Sequence, residues 1–113
     1  MQFQHVLERH EIMTLNDALR RDPRKGKLMV TSGLSAMGTE FIVAALAMLA
    51  KYANFTQGND PHGEHDFGNF ELAGQKLLWK IDYYDRKLEY HSDNPADPSI
   101  TTRVLTLMLA EEY

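Results

Sequence analysis

Five side chains able to ligate a metal, move a proton or meet a charged partner fall within seven residues: Asp60, His62, Glu64, His65 and Asp66. Imidazole and carboxylate together suit Zn²⁺, Fe²⁺ or Mn²⁺. In that chemistry His62, His65 and Asp66 would be ligands, with Glu64 or Asp66 available as a base. The spacing is not the helical H-E-x-x-H pattern, and Pro61 and Gly63 oppose a helix. Catalytic zinc needs three protein ligands, so the loop itself would have to fold to supply them. Two other uses fit the same residues. Asp and Asn side chains bond nearby backbone N–H groups and could tie a long loop down, or the loop could present its charges to a partner.

A second group is spaced for a sheet. If 77–84 is a strand, Lys80, Asp82 and Tyr84 share one face, to which a return strand would add Glu89 and His91. That face reads either as a solvated surface with cross-strand ion pairs or as a recognition surface, with Tyr84 as an aromatic anchor rimmed by charge. Asp82 and Asp85 are near enough in sequence for a general acid–base pair, but a turn is the commoner place for an acid like Asp85. The chain has no cysteine, which removes disulfides, thiolate metal sites and a cysteine nucleophile. It has no G-x-S-x-G, P-loop or G-x-G-x-x-G motif either.

The elements that must position these residues can be read from periodicity. Phe3, Val6, Leu7, Ile12, Leu15 and Leu19 recur at helical spacing over the first 21 residues, as one bent helix or two short ones. Residues 27–31 form a short strand candidate. Residues 40–52 are apolar on nearly all faces, which predicts a central helix covered on more than one side. Residues 56–69 read as a polar loop. Phe70 and Leu72, a Gly74-Gln75 turn, then Leu77, Trp79, Ile81 and Tyr83 on one face predict a β-meander, with Leu88 and Tyr90 returning as its third strand. Asp97 as cap and Pro98 at the first position predict a closing helix over 98–112, with Ile100, Val104, Leu107 and Met108 on its apolar face. The expected fold is a single α+β domain over 1–113: a three- to four-stranded, mostly antiparallel sheet packed on one face by helices, including a buried central helix and a C-terminal helix.

At 113 residues the chain is long enough for a core without staples. Its net charge of −4 is the wrong sign for direct nucleic-acid binding. Charge is unevenly placed: residues 59–97 hold nine acids against four bases, while the bases cluster at Arg20, Arg21, Arg24, Lys25 and Lys27. That cluster has no interleaved aromatic ring and reads as a solvated helix end. The longest apolar run, 41–50, is half of what a membrane span needs, and the N-terminus carries no basic region followed by an apolar stretch. A cytoplasmic chain that does not engage a membrane is expected.

Three runs, Asn59–Gly68 (NDPHGEHDFG), Trp79–Asp85 (WKIDYYD) and Asp97–Tyr113 (DPSITTRVLTLMLAEEY), occur together with Leu15-Asn16-Asp17 and Arg20-Arg21. The combination resembles a family of small, mostly alphaproteobacterial proteins defined by a domain of unknown function. The resemblance implies a bacterial cytoplasmic protein, often carried on plasmids or other mobile elements, and brings no catalytic residue with it.

These features point to a non-catalytic, protein-binding accessory domain with Asp60, His62, Glu64, His65, Asp66, Lys80, Asp82 and Tyr84 as its partner surface and no cofactor. The mobile-element association makes an inhibitor of a host defence system, such as an anti-CRISPR or antirestriction protein, its expected setting. The partner would then be a nucleic-acid-binding protein met through opposite potential. Pairing of exposed sheet edges would give a homodimer. The alternative is a small metal-dependent enzyme built on the 60–66 loop. On the partner reading, reversing charge at Asp60, Glu64 and Asp66 should leave stability almost unchanged.

Overall fold

The computed structural model describes residues 2–113, apart from the side chains of residues 2 and 3, so the expected inward face at Phe3 lies outside the described residues. The elements run α1 (Gln2–Arg21), β1 (Lys27–Val30), α2 (Ser32–Ser35), α3 (Thr39–Lys51), β2 (Phe67–Leu72), β3 (Gln75–Tyr84) and β4 (Thr102–Leu109), closed by a 3₁₀ turn at Ala110–Glu112. The four strands form one mixed sheet in the order β1-β4-β3-β2, with β1 parallel to β4 and the other pairs antiparallel. The α+β class, the strand count and the mostly antiparallel pairing are as the sequence predicts.

The predicted C-terminal helix is a strand, and a central one. Residues 102–109 alternate: Arg103, Leu105, Leu107 and Leu109 face the helices, while Thr102, Val104 and Thr106 face away. A strand with neighbours on both sides carries many apolar residues, and a short run of that kind fits either period. The Asp97-Pro98 signal closes a local turn instead. Asp97 Oδ1 accepts from the Ser99 amide at 2.9 Å and from the Ser99 hydroxyl at 2.6 Å. The predicted third meander strand is also absent: 85–101 is a loop joined to the sheet by an isolated Tyr84–His91 bridge.

α1 is one helix, with a buried stripe at Ile12, Asn16, Leu19 and Arg20. Val6 and Leu7, expected inside, are about half exposed, because the first turns of α1 project past the core. α3 buries Ala45 and Leu49 but leaves Val43 59% exposed, so the expected cover on more than one side is not there.

The core lies between the helices and one face of the sheet. Leu77, Trp79, Ile81 and Tyr83 enter it from β3 as predicted, opposite Leu19, Leu34 and Leu49. Full burial of each such side chain contributes about 1.5–3 kcal/mol. Gly68 of β2 is paired with Trp79, and a Cβ there would sit 2.6 Å from both Trp79 Nε1 and Tyr52 Cζ, so only glycine fits. The β2–β3 turn is Ala73-Gly74, both with left-handed φ (51° and 81°), one residue earlier than predicted.

Candidate functional site

The two faces of the sheet hold two groups of polar residues. On the helix-covered face the 60–66 loop is anchored inward at Asp60, while residues 61–63 stay exposed. Asp60 has only 5% of its side chain exposed, and its carboxylate accepts from the backbone amides of Glu64 (3.2 Å) and His65 (3.3 Å). These bonds hold His65 at φ 57°. The His65 ring stacks on Phe55 with centroids 3.7 Å apart, and Nδ1 donates to Asp17 Oδ1 at 2.8 Å. Its other nitrogen faces Asp60 Oδ2 at 3.8 Å.

Asp17 also accepts from Arg20, whose guanidinium is almost wholly buried over the Phe55 and Trp79 rings. Arg20 Nη1 donates to the carbonyls of Leu49 (3.2 Å) and Tyr52 (2.9 Å), so it closes the C-terminus of α3. One turn earlier, Asn16 donates to the Tyr83 hydroxyl at 2.8 Å and the Glu64 carbonyl at 3.0 Å, and accepts from Arg103 Nε at 2.8 Å. The Tyr83 hydroxyl donates to Glu64 Oε1 at 2.9 Å. Burial pushes that hydroxyl far above the ordinary phenol range, with the Glu64 charge acting in the same direction. Burial also raises the Asp66 carboxyl, and the negative charge of Glu64 adds to the effect.

This network binds α1, the loop, β3 and β4 into one polar layer. Its carboxylates face backbone amides, a guanidinium, an imidazole and a phenol; they do not converge on an open point. Among the described residues no group of three or more His, Asp or Glu side chains is arranged to hold a metal ion. His62, His65 and Asp66 are therefore not gathered as the ligand set that the metal reading requires. His62 is exposed and lines an open groove with Glu64 and the outer turns of α1, while His65 is spent on Asp17. The expectation that charge reversal at 60, 64 and 66 spares stability runs against the buried position from which Asp60 organises the loop.

The second group lies on the face that the helices do not cover. Lys80, Asp82 and Tyr84 project there from β3, as the strand spacing predicts, and Lys80 pairs with Asp82 at 3.1 Å. β1 and β4 add Lys27, Met29, Val104 and Thr106, and Leu88 arches over from the loop after β3. Together they line a trough of about 380 Å³. Met29 is 57% exposed and Leu88 44%. Leu88 also holds φ at 61°, a left-handed conformation that costs a leucine about 1–2 kcal/mol. Glu89 and His91, expected on this face, belong to the loop instead; the His91 ring meets Tyr83 edge-on at 6.2 Å. Toward the C-terminal end of β4 the same face closes, with Met108 buried and the Phe67 and Tyr113 rings 6.0 Å apart.

Residues 30–112 match the model of a family described as protein of unknown function (DUF3768). The chain belongs to that family. The matched segment carries β4, the meander and the loop, whereas α1, with Asn16, Asp17 and Arg20, lies before it. No curated protein and no solved structure matches this DUF3768 chain. Among the described residues no helix is long and apolar enough to cross a membrane.

Sequence reasoning alone missed the interior partners of the loop. Asn16, Asp17 and Arg20 stand at the three- and four-residue spacing that puts them on one helix side, and Arg103 stands at an inward position of β4. The Arg103 signal becomes readable only once 102–109 is known to be a strand.

Proposed function

We propose that this DUF3768 chain is a protein-binding accessory domain that holds its partner on the uncovered face of the sheet. The observation that carries this reading is the trough itself. A four-stranded sheet is layered on one side only, and the other side presents Met29 and Leu88 to solvent between Lys27, Lys80 and Asp82. An exposed apolar strip rimmed by charge is the composition of a recognition surface. Leu88 strengthens the case, since a leucine that is both exposed and left-handed does nothing for the stability of the isolated chain.

The occupant is an extended polypeptide segment of another protein. β1 is an edge strand whose outer side has no strand neighbour among the described residues, and it borders the trough, so a segment could pair with its backbone while setting apolar side chains beside Met29. A host-defence protein, met as an inhibitor meets its target, is the biological setting of this proposal, drawn from the mobile-element association that the family resemblance implies. The cytoplasm is the matching compartment.

Co-purification from the native host, followed by reconstitution with the purified partner, tests this reading. Met29→Glu should weaken the reconstituted complex about ten-fold or more while the unfolding midpoint stays where it was. Val43→Glu on the outer side of α3 should leave the complex intact. Loss of the partner with Val43→Glu and not with Met29→Glu would overturn the proposal. So would a chain that associates only with itself, in a dimer that Met29→Glu breaks.

A further inference from the structure

Of the basic cluster that the sequence suggests is a solvated helix end, Arg20 is buried instead, and the fold completes Arg24, Lys25 and Lys27 into a groove. The turn after α1 brings Arg24, Lys25 and Lys27 beside Arg86, which is some sixty residues away in sequence, and beside Thr101 and Thr102 at the start of β4. The groove holds about 320 Å³ and has no carboxylate and no aromatic ring among its lining residues. We propose that it is an anion site that binds a compact phosphate-bearing ligand.

Four observations support this. Lys25, Lys27 and Arg86 are exposed, and none of them has a carboxylate within ion-pair distance among the described residues. Arg24 is held at the rim by Asp22 through Nε (2.9 Å) and Nη2 (3.2 Å), which leaves further N–H donors for a ligand. Asp85, next to Arg86, turns its carboxylate into its own loop, where it accepts from the amides of Lys87 (3.1 Å) and Glu89 (3.0 Å). Arg103, at the back of the groove, is committed to Asn16 and the Pro95 carbonyl. The ligand-facing cations are therefore Arg24, Lys25, Lys27 and Arg86.

A cleft lined by charge of one sign concentrates the field within it even on a protein whose net charge is −4. Acids beyond about 8 Å are screened at physiological salt. A long nucleic-acid backbone would run out over the acidic remainder of the surface, and the groove offers no ring on which a base could stack. A compact anion meets the four cations, with one carboxylate, that of Asp22, at the rim and already engaged by Arg24. The site is independent of the partner surface in its chemistry, although Lys27 lines both grooves and so makes them adjacent.

The test is calorimetric titration of the whole chain with inorganic pyrophosphate at constant ionic strength. Sulfate, adenosine diphosphate and a short DNA duplex serve as parallel titrants. Pyrophosphate should bind with unit stoichiometry and more tightly than sulfate. Lys25→Gln with Arg86→Gln should weaken it roughly ten-fold or more, the usual scale for losing two charge-assisted contacts, while Lys76→Gln on β3 leaves it unchanged. Adenosine diphosphate binding tighter than pyrophosphate would identify a nucleotide phosphate as the source, and equal binding the free anion; both support the site. Pyrophosphate no better than sulfate, equal binding by the double variant, or a duplex preferred over pyrophosphate would each overturn it. None of these outcomes depends on a protein partner being found.

Discussion

The two faces of this sheet are built from alternate residues of the same strands, yet they serve opposite ends. On the helix side the polar groups are largely engaged with one another: Arg20 closes α3, Asp60 holds the loop amides, Asn16 joins Tyr83 to Arg103. On the other side Met29, Tyr84, Leu88 and Val104 line an open trough, and the Lys80–Asp82 pair is more than one third exposed at both ends. A surface ion pair of that kind contributes about 0–1 kcal/mol, whereas a buried one cannot lose a partner cheaply. The contrast teaches that a dense cluster of His, Asp and Glu marks the place where the chain is fastened, while the sparser alternation on β3 marks a surface left open to solvent, the one proposed above for a partner.

Substitutions can break or sharpen that contrast. The largest effect is expected at Arg20. Arg20→Ala leaves the Asp17 carboxylate with His65 alone and removes the side-chain donor to the Leu49 and Tyr52 carbonyls, and should cost about 3–5 kcal/mol in equilibrium denaturation. Gly68→Ala comes next: its methyl group has to displace Trp79 or Tyr52, at an expected cost of about 1–3 kcal/mol.

Asp66 should appear as a pH effect. Its carboxyl is raised in the fold above the ordinary value of 3.8, so the folded state holds its proton more tightly than the unfolded chain does. The contribution of this residue is fully present below the unfolded value and is lost as pH rises through the folded one. Asp66→Asn should therefore gain stability relative to the parent between about pH 4 and 7, read as the difference between their melting temperatures. An unchanging difference would mean that the carboxyl is solvated.

Smallest of all should be the open face. Met29→Glu is expected to move stability by no more than about 0.5 kcal/mol. Leu88→Gly should raise it by up to about 1 kcal/mol by relieving the left-handed backbone, while weakening the partner complex. A loss of several kcal/mol from either change would place the trough in the core and dissolve the contrast.

Much of the fold was legible in the sequence, but unevenly. The inward face of β3 at Leu77, Trp79, Ile81 and Tyr83 was readable because period two is unambiguous when polar residues fill the alternate places. β4 was not, since Leu105, Leu107, Met108 and Leu109 crowd both faces of a central strand, and the Asp97-Pro98 turn imitates a helix start. At the candidate surface, the shared face of Lys80, Asp82 and Tyr84 followed from alternation alone. The inward turn of Asp60 and His65 did not, because it depends on Asp17 and Phe55, which chain folding brings in from a distance.

Amide hydrogen exchange on the chain alone and on its complex with the co-purified partner tests the central claim most directly. With the sheet face as the working surface, exchange slows on binding along residues 27–31 and at Leu88, and stays as it was across 60–66. Slowing confined to 60–66, with β1 unaffected, would contradict it and return recognition to the loop.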